Sequence, residues 1–241
     1  LLSQGKFKEA IDVFTQCLTE YPKHPASYRS RLRAALALLE EEQLEQARQL
    51  LVDNLYNFAL TPQSPEWRDS LFALGESQFR DAMSHEAKSR GPGVDEGNPE
   101  RKQSALAELK QAHQLYLDAA RTLTEAVQRF PAAPRTLEAR YRVAESWRQA
   151  AKWPSKRLDQ ATIETTRVAL TRQLQEYLNS AVAEYTTLLQ LFDADQRAIH
   201  RSPAELAIIR NCYFGKADAL FDLGRYEDAA FAYSAATNRY Q

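Results

Sequence analysis

Few residues of this chain are spaced for chemistry. The four histidines are His24, His85, His113 and His200. Asp81 and His85 stand four apart, which on a helix places both on one face at the spacing of a two-ligand metal pair. No third ligand is identifiable beside them, so a solvated pair is expected there. Cys17 and Cys212 are the two cysteines and lie near opposite ends of the chain. They make no disulfide framework, and neither a Ser-His-Asp nor a Cys-His arrangement can be argued from spacing. The stretch Gly91-Pro92-Gly93-Val94-Asp95-Glu96-Gly97-Asn98 is glycine-rich but lacks the Lys-Ser/Thr of a phosphate loop and follows no strand. It reads as a connector. No catalytic residue, metal or other cofactor is expected.

Binding chemistry is better represented. Four helical segments placed in register give one column reading Leu32, Phe72, Tyr141, Phe214. Four residues on, the column reads Leu36, Glu76, Glu145, Asp218, and three beyond that Leu39, Phe79, Arg148, Phe221. Steps of four and three keep each set on one helical face. An aromatic stripe beside three carboxylates suits a peptide or helix with apolar anchors and Lys or Arg. The candidate partner-binding residues are therefore Phe72, Glu76, Tyr141, Glu145, Arg148, Phe214, Asp218 and Phe221. The competing expectation is that the rings are packing and the acids solvated.

Composition narrows the partner. The 44% hydrophobic and 26% charged fractions are those of a globular rather than a disordered chain. Lys plus Arg is 31 against 32 Asp plus Glu, so no long-range attraction to nucleic acid or an anionic membrane is expected. The densest basic run is Arg135, Arg140, Arg142, Arg148, Lys152, Lys156 and Arg157. Glu138, Glu145 and Asp159 interrupt it, which fits a solvated helix face better than a nucleic-acid surface. No apolar run approaches the roughly 18 residues of a membrane helix.

The elements that carry these residues are helical throughout. Helices are expected over 6–20, 26–40, 43–58, 64–88, 98–130, 135–152, 159–192 and from Ser202 onward, with residues 1–4 the tail of an earlier one. Proline stands at the first helical place at His24-Pro25, Ser64-Pro65, Asn98-Pro99 and Ser202-Pro203, with Ser64 a cap and Glu205 at capping-box spacing from Ser202. Trp153-Pro154 is expected to stop one helix. The helix after Asn98 spans about 31 residues, roughly 46 Å at 1.5 Å per residue. It and the helix to Phe192 far exceed the typical dozen residues. Five second helices share a face in which alanine takes the second place: Phe7-Ala10-Phe14-Cys17, Leu44-Ala47-Leu51-Asn54, Tyr116-Ala119-Leu123-Ala126, Leu178-Ala181-Tyr185-Leu188 and Tyr226-Ala229-Tyr233-Ala236. Five such faces in one register are an internal repeat.

The repeat resembles the tetratricopeptide repeat, a helix–turn–helix unit of about 34 residues. Gly224, Tyr226, Ala229, Tyr233 and Ala236 match it best, followed by Gly5, Phe7, Ala10, Phe14 and Pro22. Ala35, Gly75, Ala144 and Ala217 match the family's small residue in the first helix. Gln114 stands where a turn glycine belongs, and the third and fourth repeats carry insertions. The stretch from Phe14 to Pro22 looks like bacterial envelope members of the family; the compartment, envelope or cytoplasm, stays open. The resemblance implies an all-α solenoid forming one array over 1–241, with repeats at about 1–22, 25–58, 64–131, 134–192 and 202–241, cut from a longer protein. It implies a non-catalytic scaffold that binds another protein's peptide or helix on the concave side, where first helices lie. The two long helices are expected to pack on each other as a lateral ridge through Leu109, Ala112, Tyr116, Ala119, Leu123 and through Ile163, Leu170, Leu174, Tyr177, Ala181. Self-association through that ridge, in a structural or oligomerisation module, is the second reading.

Overall fold

A computed structural model describes residues 1–90, 98–194 and 201–239. The glycine-rich connector at 91–97 and His200 lie outside them. Among the described residues the chain forms ten α-helices and no strand: α1 (Phe7–Glu20), α2 (Pro25–Glu40), α3 (Leu44–Leu55), α4 (Pro65–Ser89), α5 (Pro99–Arg129), α6 (Thr136–Ala150), α7 (Lys152–Leu158), α8 (Glu164–Ala194), α9 (Pro203–Asp222) and α10 (Tyr226–Arg239). Each helix packs on its neighbours in sequence, and the first helices α2, α4, α6 and α9 also touch in succession. The result is a solenoid whose first helices form one continuous wall.

Local chemistry explains most helix starts. The Asn98 side chain accepts from the backbone N–H of Glu100 at 3.0 Å, and Pro99 opens α5 where a missing N–H costs nothing. Ser202 and Glu205 form the reciprocal capping box at α9. Ser64 differs from expectation: its hydroxyl accepts from the Thr61 N–H at 3.1 Å and caps the preceding turn instead of α4.

The repeated face forms as its spacing predicts. Ala10, Ala47, Ala119 and Ala181 are fully buried and Ala229 nearly so, which lets each second helix approach its neighbours closely. The small residues of the first helices do the same work. A Cβ on Gly75 would sit 2.4 Å from Leu123 Cγ, and one on Gly215 would sit 2.6 Å from Tyr185 Cζ. Tyr226 is the exception on this face: it is 63% exposed and meets Phe221 edge-on at 5.3 Å.

The middle of the chain departs from expectation in three ways. Trp153-Pro154 does not end the helical path, because Pro154 falls in the first turn of α7, where its ring is tolerated. The break comes earlier, at Ala151, and His113 Nδ1 meets the freed Ala150 carbonyl at 2.9 Å. The fourth hairpin's second helix starts at Glu164, not Asp159. Lastly, the long helices do not build a shared ridge. α5 pairs with the likewise extended α4, α8 pairs with α6 and α7, and α7 stands between the two extensions. α5 and α8 meet where the His113 and Tyr177 rings lie 5.7 Å apart.

The two-helix turns separate sequence from strain. After α9, Gly224 is left-handed at φ 76°, with Arg225 N–H on Leu220 O and Gly224 N–H on Phe221 O, a Schellman closure. The turn after α2 has the same bonds, Gln43 to Leu38 and Glu42 to Leu39, but puts Glu42 at φ 57°. A left-handed non-glycine residue costs roughly 1–2 kcal/mol. Glu42→Gly is therefore expected to raise the urea midpoint by about 1 kcal/mol of stability, and Gly224→Ala to lower it by a similar amount. Equal midpoints for Glu42→Gly and the parent would show that the turn carries no strain.

Candidate partner-binding face

The wall formed by α2, α4, α6 and α9 carries the eight residues marked by the sequence. The structure brings them to one side of the array but gives them unequal exposure. Phe72 is 2% exposed, in a core cluster with Leu71, Leu123 and Val127, so it is packing and not a groove anchor. Its column mate Leu32 is likewise buried, whereas Tyr141 and Phe214 are half-buried. Phe221 is 55% exposed and presents a ring to solvent.

Glu76 and Glu145 are buried and paired, and Asp218 is partly exposed and paired. Glu76 is 6% exposed. It accepts from Arg80 Nε at 3.0 Å, and Arg142 Nε lies 3.2 Å away without hydrogen-bond alignment. Glu145 is 8% exposed and accepts from the Tyr185 hydroxyl, from Arg148 at 3.1 Å and from Gln149 at 3.2 Å. Asp218 accepts from Tyr233 and from Arg148 at 3.4 Å. Arg148 thus ties α6 to α9 and is part of the same network. The carboxylates expected to attract Lys or Arg of a partner already hold arginines of this chain, so Glu76 and Glu145 are corrected from contact residues to internal links.

Sequence reasoning missed a fourth acid. Glu86, at the far end of α4, is 8% exposed and accepts from Tyr116 at 2.8 Å, from Lys152 at 2.5 Å and from Arg90. The Glu86–Arg90 spacing of four was the available signal; its meeting with α5 and α7 was not legible. Asp81 and His85 are also engaged. Arg48 donates to Asp81 at 3.1 Å, and His85 Nδ1 lies 2.6 Å from Glu108 on α5.

Between α4 and α6 these links frame a pocket of about 440 Å³. Phe79, Met83, Tyr116 and Tyr141 give it an aromatic and thioether lining, and Met83 is 51% exposed. Arg142 crosses the Phe79 ring at 4.6 Å. Gln149 lines the pocket with a buried Oε1 that has no hydrogen-bond partner among the described residues. Arg90 and Lys152 pair with Glu86 and Arg142 lies against Glu76, and the pocket lining sets these three cations against the two carboxylates of Glu86 and Glu145.

The electrostatics follow from burial. Burial penalises the Glu86 carboxylate, but hydrogen bonds from Lys152 and Tyr116 and the charge of Arg90 outweigh it and hold its pKa below the ordinary value. Burial opposes the Arg148 guanidinium too, yet Glu145, Tyr185 and Asp218 keep it above the ordinary arginine value. Burial, then Glu145, raises the Tyr185 phenol well above its usual range and pushes Tyr141 up to about 12. Asp222, exposed beside Asp218, is shifted up chiefly by desolvation.

A wall of stacked first helices, each backed by a second helix, defines a helical-repeat array. Residues 1–53 and 211–241 each match a tetratricopeptide repeat family model, so both ends of the chain carry tetratricopeptide repeats. The matched ends flank the enlarged hairpins α4–α5 and α6–α8. No curated protein matches the chain. Tetratricopeptide repeats mediate protein–protein interaction, and among the described residues no helix is long and apolar enough to cross a membrane.

The Glu86 cluster yields a signed pH prediction. A carboxylate whose folded pKa lies below its unfolded one adds stability above the unfolded value, and that stability is lost as pH falls through the folded value. Glu86→Gln is expected to cost about 2 kcal/mol at pH 7, because it leaves the half-buried Lys152 without its counter-charge. The gap from the parent should shrink toward pH 3. Asp222 and Glu184, both raised by burial, contribute with the opposite sign, so the comparison is variant against parent at each pH. A gap that stays constant from pH 7 to pH 3 would remove the ionised cluster from the account.

Proposed function

We propose that the chain is a non-catalytic scaffold that holds a peptide or short helix of a partner protein against the wall of first helices. The observation that carries this reading is the pocket between α4 and α6, with its half-open aromatic and thioether lining, its unpaired Gln149 carbonyl and its cationic rim. An apolar anchor fills such a pocket, and the Gln149 oxygen takes a backbone or side-chain N–H from the bound segment. The rim reverses the polarity expected from three free acids. Arg142 and Lys152 favour an acidic residue beside the anchor, and Asp218 with Asp222 favour a basic residue toward α9. Phe221 and Tyr226 offer exposed rings at that end. Tyr141, Arg148, Phe214, Asp218 and Phe221 remain the contact set, joined by Met83 and Arg142.

Selection from a random library of about 12-residue peptides tests this. Enriched peptides should pair a leucine-sized or aromatic residue with a neighbouring Asp or Glu. Met83→Arg should fill the pocket without touching the core and weaken them at least tenfold, about 1.4 kcal/mol. Peptides that bind Met83→Arg as tightly as the parent would overturn the assignment. The second reading, self-association through the long helices, has one observation in its favour. Ile163 and Val168, around the start of α8, are 65% and 60% exposed. Light scattering separates the two: a dimer that dissociates on Ile163→Asp and Val168→Asp supports the second.

A further inference from the structure

Outside the wall of first helices, a cleft of about 680 Å³ opens between the N-terminal half of α5 and α7. Its two walls are helical stripes. On α5 the lining residues Lys102, Leu106 and Leu109 step by four and three, with Ala105 beside them, so one face runs from cationic to apolar. On α7 and its C-terminal cap the lining residues Lys152, Ser155 and Asp159 step by three and four, with Lys156 alongside. Ala105 is buried, and Leu106 and Leu109 are half-buried, which makes an apolar floor recessed between the helices.

The charge around that floor is one-sided. Among the described residues, Arg90, Lys102, Lys152 and Lys156 line the cleft against the single carboxylate of Asp159, in a chain whose net charge is −1. Arg90 and Lys152 share Glu86, itself buried. Lys102 and Lys156 are exposed and pair with no acid among the described residues. Four cations about a leucine floor complement a segment that carries carboxylates beside apolar side chains. The recessed floor suits a rod laid between two helices and does not project as a bilayer-binding face must. A nucleic-acid strand would leave the leucines uncovered.

We propose that this lateral cleft is a second docking site, separate from the pocket on the first helices, for an acidic amphipathic helix of a partner protein. Such a helix lies along α5 and α7 with its apolar residues on Leu106 and Leu109 and its carboxylates at Lys102 and Lys156. α7 spans about 10 Å at 1.5 Å per residue, so two turns of the incoming helix are engaged. The site does not depend on the peptide reading of the inner pocket.

The test uses the whole chain and a fluorescein-labelled synthetic helix of about 18 residues, with leucines on one face and glutamates flanking them. Anisotropy should report saturable binding. Lys102→Glu with Lys156→Glu should weaken it at least tenfold, and Leu106→Asn should weaken it with the charges intact. Met83→Arg, in the inner pocket, should leave it unchanged, and circular dichroism should show every variant fully helical. The comparison probes are poly-glutamate of the same length, a single-stranded oligonucleotide and phosphatidylserine vesicles. No binding of the labelled helix at about millimolar protein would overturn the proposal. So would equal binding by the doubly reversed variant, or a comparison probe that binds as tightly with the same dependence on Lys102 and Lys156.

Discussion

A carboxylate inside a helical hairpin persists only where donors replace the water it has given up. In this array the replacement follows a rule. A tyrosine of the second helix donates its phenol to an acid of the first: Tyr116 to Glu86, Tyr185 to Glu145 and Tyr233 to Asp218. An arginine or lysine then brings the counter-charge, and at four points it comes from a different hairpin. Arg142 reaches Glu76, Lys152 reaches Glu86, Arg148 reaches Asp218, and Arg48 reaches Asp81. The phenol closes the hairpins α4–α5, α6–α8 and α9–α10, and the cations join neighbouring hairpins. Removing either partner leaves the other desolvated, so these acids constrain the stacking of hairpins more than exposed ion pairs of equal length would.

The same rule explains how the third and fourth hairpins tolerate their length. Extending α4 and α5 beyond the common repeat adds surface that no neighbour of standard size could cover. α7 supplies the cover: the path kinks at Ala151, His113 takes up the freed Ala150 carbonyl, and Lys152 lands on Glu86. Trp147 stacks on Tyr177 at 5.7 Å and fills the corner where α5, α6 and α8 converge. The insertion is thereby joined to the repeat core through one buried acid, one histidine and a small aromatic group.

Periodicity and small residues made the fold legible. Alanine at one place of five helices, and Ala35, Gly75, Ala144 and Ala217 in the first helices, mark close approaches that the structure contains. Capping chemistry at Asn98 and Ser202 marked the starts of α5 and α9 because the donors and acceptors involved are local. Trp153-Pro154 misled, since a proline cannot reveal whether it stops a helix or opens the next. The binding face was legible as a face but not in its polarity. Phe72 and Tyr141 share a column, yet Phe72 is closed over by α5 and Phe130, and only tertiary packing decides that. Glu76 and Glu145 looked like free acids because Arg142 and Tyr185 reach them from other helices.

The polarity follows from how a nearly neutral chain distributes its charge. Phenols that donate to inward-pointing acids replace lost water without changing the charge, so each acid still holds a cation that reaches it from nearer the surface. Arg90, Arg142 and Lys152 end with their charged groups at the rim while Glu76, Glu86 and Glu145 lie beneath. The Glu86 cluster is also the partition between the two openings of the array: Arg90 and Lys152 line the inner pocket on one side and the lateral cleft on the other. One buried acid therefore holds in place the two cations that both surfaces share. The enlarged hairpins, which depart furthest from the common repeat, are where the array acquires surfaces that a plain stack of short hairpins lacks.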